Sequence, residues 1–258
     1  MNLRVTLVQQ PLHWEDPAAN LAAFERLLAP LAGQTDLVVL PEMFTTGFSM
    51  QPQRLAEPAD GSGARWLTGQ AQRLGAAVSG SIMTRAGGHC VNRLWFATPD
   101  GALHHYDKRH LFRMAGEHEA YAAGDRGLVV EWRGWRIAPL VCYDLRFPVW
   151  SRRRPGYDYD LLLYVANWPA RRRYAWSQLL IARAIENQAC VVGVNRVGAD
   201  GAGVPHAGDS AAHDHLGAPL AVLGDDAGLR TVELDREALS QFRERFPAHL
   251  DADRFELL

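Results

Sequence analysis

The sequence predicts a single mixed α/β domain over residues 1–258, and three observations predict it. Seven short segments are apolar or alternate in polarity, the pattern of buried or half-buried strands: 4–10, 37–41, 76–83, 93–98, 136–142, 161–167 and 190–196. Between several of them, apolar residues recur every three or four positions, as on one face of a helix. Such stretches run over 20–32 after Asp16-Pro17, over 62–74 with Ser62 placed to cap it, and over 174–188 from Tyr174. In two places strand-like segments follow one another directly. One is 93–98 to 102–108 through the turn Asp100-Gly101, and the other is the series 210–216, 220–224 and 230–235. The sheet is therefore expected to be mixed, and 258 residues suffice for one large core. No repeat, low-complexity tract or Pro/Gly/Ser linker divides the chain.

Composition narrows the function classes. Hydrophobic residues make up 48% and charged residues 22%, values of a globular chain. A net charge of -2 gives no electrostatic reason to expect nucleic acid or an anionic membrane as partner, which leaves small molecules. The runs Arg152–Arg154 and Arg171–Arg173 read as solvated helix ends. The opening MNLRVTLVQQPLHW alternates like a strand and lacks the charged head and apolar stretch of a secretory signal. The run LLLYVANW is cut short by Asn167 and Pro169, far below a bilayer span, so a cytoplasmic protein is expected. Cys90, Cys142 and Cys190 form no CxxC pair, which suggests neither a disulfide framework nor a zinc site. All but one of the 27 basic residues are arginine, and the exception is Lys108. A compact ammonium on a thin stem is not equivalent to a planar guanidinium, so a lone lysine asks for a specific reason.

In α/β proteins, reactive side chains collect where strands end and leave the core. Three strand ends here carry such groups. LVVLP runs into Glu42, ALHHYD delivers Lys108, and RIAPLV delivers Cys142 just before a polar turn containing Arg146 and Pro148. Backbone N–H groups directed at a cysteine in that position lower a thiol pKa and build an oxyanion site. Cys190 opens the apolar run VVGVN and reads as an inert core thiol, and Cys90 beside Gly87-Gly88-His89 reads as a loop residue.

With these residues in place, LPEMFTTGF, YDKRHLF and LVCYDLRFP resemble, in that order, the Glu, Lys and Cys motifs of the nitrilase or carbon–nitrogen hydrolase superfamily. The resemblance extends over nearly the whole chain, through VTLVQQ, YVANWP, ARAIENQ and VVGVNRVG. Nitrilases proper usually carry Cys-Trp-Glu, whereas CYDLRFP is similar to the amidase branches, above all to omega-amidases acting on 2-oxoglutaramate. The resemblance implies a four-layer α-β-β-α sandwich, a homodimer and a reaction that uses no cofactor and no metal. It also implies a second acid, Glu117, with Glu119 close enough to leave that choice open.

These residue types suit hydrolysis of an amide in two steps, acyl transfer followed by deacylation. Glu42 takes the Cys142 proton, returns it to departing ammonia and later activates water, while Glu117 positions its neighbours. Lys108 favours the thiolate and, with the backbone N–H of Tyr143, supports the oxyanion. Arg146, four residues past the nucleophile, is the candidate for a distal substrate carboxylate, with an ion pair to Asp144 as its alternative. Asn167 and Trp168 offer a polar contact and an aromatic wall. Three other readings compete. One is a metal hydrolase built on His206, Asp209, His213, Asp214 and His215, with the two outer residues of His213-Asp214-His215 on one side of a strand. The second is a cysteine hydrolase using His110 or His118 as base, and the third is a binding module without turnover. Residue types do not choose among 2-oxoglutaramate, 2-oxosuccinamate and other short monoamides.

Overall fold

The computed structural model describes residues 1–257. The first half of the chain supplies strands β1 (Leu3–Gln9), β2 (Leu37–Val39), β3 (Glu57–Pro58), β4 (Ala77–Ala86), β5 (His89–Ala97) and β6 (Leu103–Asp107). The second half supplies β7 (Val130–Trp132), β8 (Trp135–Val141), β9 (Leu161–Ala166), β10 (Cys190–Asn195), β11 (Val197–Ala199), β12 (Pro205–Ala207), β13 (Ala211–His213), β14 (Pro219–Val222) and β15 (Gly228–Leu234). Helices α1 (Pro17–Leu28), α2 (Pro52–Leu55), α3 (Ser62–Leu74), α4 (Glu117–Ala120), α5 (Pro148–Ser151), α6 (Arg173–Asn187) and α7 (Arg236–Arg245) fall between or after them.

The strands form two large mixed sheets, ordered β15-β1-β2-β4-β5-β6, with β3 beside β4, and β14-β13-β10-β9-β8-β7, and β11 and β12 pair as a separate two-stranded ribbon. The period of two along each strand explains how they stack. Leu37 and Val39 of β2, with Leu94 and Phe96 of β5, join one core shared with Ile137, Leu163 and Val192 of the other sheet. Their neighbours Val38, Trp95 and Ala97 face the opposite way, onto Phe24 and Leu28 of α1 and Leu67 and Leu74 of α3. On the outer face of the second sheet pack Trp176, Leu180 and Ala184 of α6, which continue the same apolar cluster through that sheet. Helix, sheet, sheet and helix thus lie in sequence, the layer order that the family resemblance implied. No helix among the described residues is long and apolar enough to cross a membrane.

Several details differ from the sequence expectations. Gly61, not Ser62, caps α3, because the Glu57 carboxylate reaches across to accept the Gly63 N–H at 2.7 Å and meets a free donor of the first turn. Cys90 lies within β5, opposite Arg85, because β4 and β5 continue to a tight hairpin at Gly87-Gly88, both at positive φ. His213 ends β13, and His215 lies beyond it, so the two do not share a strand face. The helix α7 had no counterpart in the sequence reading. Its turns are polar, with only Leu239 buried, and it is held by Asp235, whose side chain accepts the Ala238 N–H at 3.0 Å.

Candidate active site

Glu42, Lys108 and Glu117 meet between the two sheets, and all three are fully buried. Glu42 comes just beyond β2, where Met43 at φ 44° turns the chain sharply and the Ser81 hydroxyl accepts its N–H at 2.8 Å. Lys108 extends the β6 ladder, donating its backbone N–H to Asn92 O of β5 at 3.0 Å. Its ammonium donates to Glu42 Oε1 at 2.9 Å and to Glu117 Oε1 and Oε2 at 3.0 and 2.9 Å. The three ammonium protons are thereby engaged, and the Phe48 ring lies 5.1 Å below the nitrogen. Glu117 opens α4 and also accepts the Phe112 N–H at 2.5 Å. Glu119 points outward, 3.7 Å from His118, so of the two acids it is Glu117 that joins the cluster.

Cys142 stands where β8 gives way to the 3-10 turn Cys142–Arg146. Its φ of 44° is left-handed, a conformation that costs a non-glycine residue about 1 kcal/mol and lifts the side chain out of the sheet. The buried carboxylate of Asp144 fixes this turn. Its Oδ2 accepts from Val141 N at 3.0 Å and the Tyr106 hydroxyl at 2.8 Å, and its Oδ1 accepts from His110 N at 3.0 Å. One side chain therefore ties the cysteine turn to the segment that follows Lys108. His110 Nδ1 also lies 2.8 Å from Asp144 Oδ1, and its ring stacks on Phe147 at 3.7 Å. The side chains that act on the Cys142 thiol are Glu42, Lys108 and Glu117, and His110 is not among them.

The electrostatics reverse one sequence expectation. The Cys142 thiol is not lowered: burial pushes it well above the ordinary thiol value, and Glu42, which is within hydrogen-bonding reach, and Glu117 add to the rise against Lys108. The resting group is a neutral thiol beside a carboxylate, not a free thiolate. Burial alone would drive Lys108 toward neutrality, but Glu117 and Glu42, aided by Cys142, overcome it and raise its pKa. Burial also raises the Glu117 carboxyl, and neighbouring Glu42 adds to that rise while Lys108 opposes it. Two carboxylates thus share one ammonium at a place shut off from bulk solvent.

The other expected residues fall into separate duties. The Asn167 N–H donates to Glu42 Oε2 at 2.8 Å and its side-chain amide donates to Glu42 O at 2.6 Å. It clamps the acid, while its Oδ1 remains buried and unbonded. Trp168 is wedged beneath the Arg146 guanidinium, 4.9 Å from the ring centre. Arg146 makes no ion pair with Asp144, because Asp144 is already occupied by Tyr106, Val141 and His110. The Tyr143 ring stands edge-on to Phe112 and Phe147, each 5.1 Å away. Cys190 is buried in β10, and burial pushes its thiol up to about 12. Among the described residues no three His, Cys, Asp or Glu side chains converge as metal ligands. Asp209 instead pairs with Arg173 at 2.7 Å, and Asp214 Oδ1 accepts the Leu216 and Ala218 N–H groups.

Two residues of the site were not singled out in the sequence. Asn92 donates one amide nitrogen to Glu42 Oε1 at 2.8 Å and to Glu117 Oε1 at 3.3 Å, spanning the two acids. Its signal was a polar residue inside the run VNRLWF. Asp144 was visible only as an ion partner for Arg146.

The carbon-nitrogen hydrolase family profile matches residues 4–244. The chain belongs to the carbon-nitrogen hydrolase family. This hydrolase is 51% identical over 256 residues to the omega-amidase YafV of Escherichia coli strain K12, covering 99% of this chain and 98% of that protein. It is 32% identical over 254 residues to the 2-oxoglutaramate amidase of Bacillus subtilis strain 168, covering 97% and 98%. Its structure is similar to that of XC1258 from Xanthomonas campestris, a CN-hydrolase superfamily protein with an arsenic adduct in its active site. The TM-score is 0.97 and the identity 53%, with both chains covered completely. As a carbon-nitrogen hydrolase the chain is an enzyme that acts on carbon–nitrogen bonds other than peptide bonds.

Proposed function

We propose that this enzyme hydrolyses the omega-amide of a short 2-oxo dicarboxylic acid monoamide, such as 2-oxoglutaramate, through a thioester on Cys142. The observation that carries the reading is the buried cluster of Lys108, Glu42 and Glu117 set against a neutral thiol. The kinship to an omega-amidase and a 2-oxoglutaramate amidase supports the substrate class. Because the thiol is protonated at rest, Glu42 removes its proton as sulfur attacks the amide carbon. The carbonyl oxygen becomes negative, and the Tyr143 N–H with the Lys108 charge stabilises it. Lys108 acts mainly through its charge, since its protons are already held by carboxylates. Collapse of the tetrahedral intermediate expels the nitrogen, which takes the proton back from Glu42 and leaves as ammonia. Water, deprotonated by Glu42, then attacks the thioester, and the carboxylic acid leaves as sulfur regains its proton. Glu117 and Asn92 hold Lys108 and Glu42 in register, and Arg146, braced on Trp168, meets the distal carboxylate.

The continuous core across both sheets supports one domain over residues 1–258. Exposed apolar residues Ile185, Leu216, Phe246 and Leu250 in the region of α6 and α7 support pairing into a homodimer, and three free thiols fit the cytoplasm. The test is ammonia release from 2-oxoglutaramate by the wild type and by Cys142→Ala. Release by the first and none by the second is expected, and normal turnover by the variant overturns the covalent scheme.

A further inference from the structure

Arg171–Arg173 read in sequence as a solvated helix end, and two of the three conform. Arg171 is exposed, and Arg173 pairs with Asp209 and Asp225 at 2.7 and 2.6 Å. Arg172 is different. Its guanidinium lies 5.3 Å from the Phe112 ring centre, and its Nη2 is 3.2 Å from Met114 Sδ. Its Nη1 is shut off from solvent without a hydrogen-bond partner, an arrangement that leaves a charged donor uncompensated.

The surroundings of this unpaired nitrogen belong to the active site. Phe112 is the residue whose N–H holds Glu117, and its ring meets Tyr143, which directly follows the nucleophile. Trp168, the ledge under Arg146, donates its indole N–H to Arg172 O at 2.9 Å. Arg146, in the same turn as Cys142, thus stands over Trp168, and Arg172 over Phe112, whose ring meets Tyr143; among the described residues neither guanidinium has an acidic partner within salt-bridge distance. Burial first, and then repulsion from Arg171 and Arg146, hold the Arg172 pKa below the ordinary arginine value. Two like charges left unneutralised beside a nucleophile are relieved when an anion arrives, and a planar fork supported by an aromatic face presents its edge to a carboxylate.

We propose that Arg172 is the second arm, with Arg146, of a clamp for the substrate carboxylate remote from the scissile amide. This inference rests on the omega-amidase reading. It makes the distal carboxylate a requirement for efficient turnover: a neutral amide of the same length leaves both guanidinium groups unpaired.

The test compares kcat/KM for 2-oxoglutaramate and for pentanamide, a neutral amide of equal chain length, in the wild type, Arg172→Met and Arg172→Lys. The ratio of the two values cancels any difference in folded fraction within one preparation. The wild-type ratio is expected to favour the carboxylate strongly. Arg172→Met is expected to lower that ratio about tenfold to a hundredfold, chiefly by raising KM for 2-oxoglutaramate, with partial recovery in Arg172→Lys. An unchanged ratio in Arg172→Met with a strong wild-type preference overturns the clamp and leaves the omega-amidase reading intact. A wild type that turns over pentanamide as well as 2-oxoglutaramate overturns both. Should Arg172→Met yield no folded protein, Arg172→Gln takes its place in the same comparison, and a ratio equal to that of the wild type overturns the clamp.

Discussion

Two of the regions in which this protein buries carboxylates balance the charge in opposite ways. At Asp160, immediately before β9, one fully buried acid collects three arginines: Arg136 at 2.9 Å, Arg243 at 2.8 Å and Arg236 at 3.3 Å. Burial pushes its pKa up, but the hydrogen bonds from Arg136 and the nearby positive charge prevail and hold it below the ordinary aspartate value. At the Cys142 cluster, two acids share one lysine, and the Glu117 pKa ends above its ordinary value. A surplus of cations locks a charge in place, whereas a deficit leaves a proton free to move. The first arrangement fastens β8, β9 and α7 together, and the second suits acid–base chemistry.

The contrast also explains the composition. Arginine's broad fork serves the Asp160 hub, where several donors converge from different elements. Between Glu42 and Glu117 the available volume is bounded by Phe48 and Asn92, and a single nitrogen satisfies three carboxylate contacts. Lys108 is the one position in the chain where the compact ammonium is used.

Substitutions can break this comparison, and the largest effect is expected at the sulfur. Cys142→Ala should lower kcat by at least about 10⁴, read by ammonia release. A smaller loss would mean that water reaches the amide directly. Lys108→Arg keeps the charge but not the shape, and kcat/KM should fall roughly a hundredfold to a thousandfold. Retention of activity would show that charge alone suffices and that the steric half of the argument is wrong.

The thiol offers a finer probe. Glu42 raises the Cys142 pKa and Lys108 opposes that rise, so their removal should act with opposite signs. In Glu42→Gln the pH profile of iodoacetamide alkylation at Cys142 should move to lower pH, and in Lys108→Met to higher pH. Movement of both profiles in the same direction would disprove the charge-sharing account. The smallest catalytic effect is expected at the other region. Asp160→Asn should lower stability by about 2 kcal/mol at pH 7, measured by urea unfolding, with kcat/KM within about twofold of the wild type. The sign follows from the depressed pKa: the ionised acid's contribution is present above the ordinary value of 3.8 and is lost as pH falls through the folded value. The difference between Asp160→Asn and wild type should therefore shrink below about pH 3.8.

The parts of this molecule legible in the sequence are those written in local periodicity or in residue type. The apolar runs LVVLP and RLWFAT marked two strands, but which of their side chains meet the helices and which the second sheet is set by the fold. Glu42, Lys108 and Cys142 stood out because each ends a strand, and the structure gathers them at one place. What was hidden depends on distance along the chain. Asn92 looked like a polar flaw in a strand until Glu42 and Glu117 arrived on either side. The thiol was expected to be acidic from its strand-end position, but burial and two carboxylates, properties of the folded interior, set the opposite direction. Arg172 was grouped with its exposed neighbours because a run of three arginines says nothing about which one turns inward. The polar helix α7 carried too few apolar positions to announce itself.

The central claim is that the neutral Cys142 thiol becomes the acyl carrier only as Glu42 takes its proton. Acid-quenched rapid mixing with 2-oxoglutaramate, followed by peptide mass spectrometry, reads this directly. The account predicts a transient acyl group on the Cys142 peptide in the wild type, and none in Glu42→Gln on the same timescale. Steady release of ammonia with Cys142 unmodified at every time point, or equally fast acylation without Glu42, contradicts it.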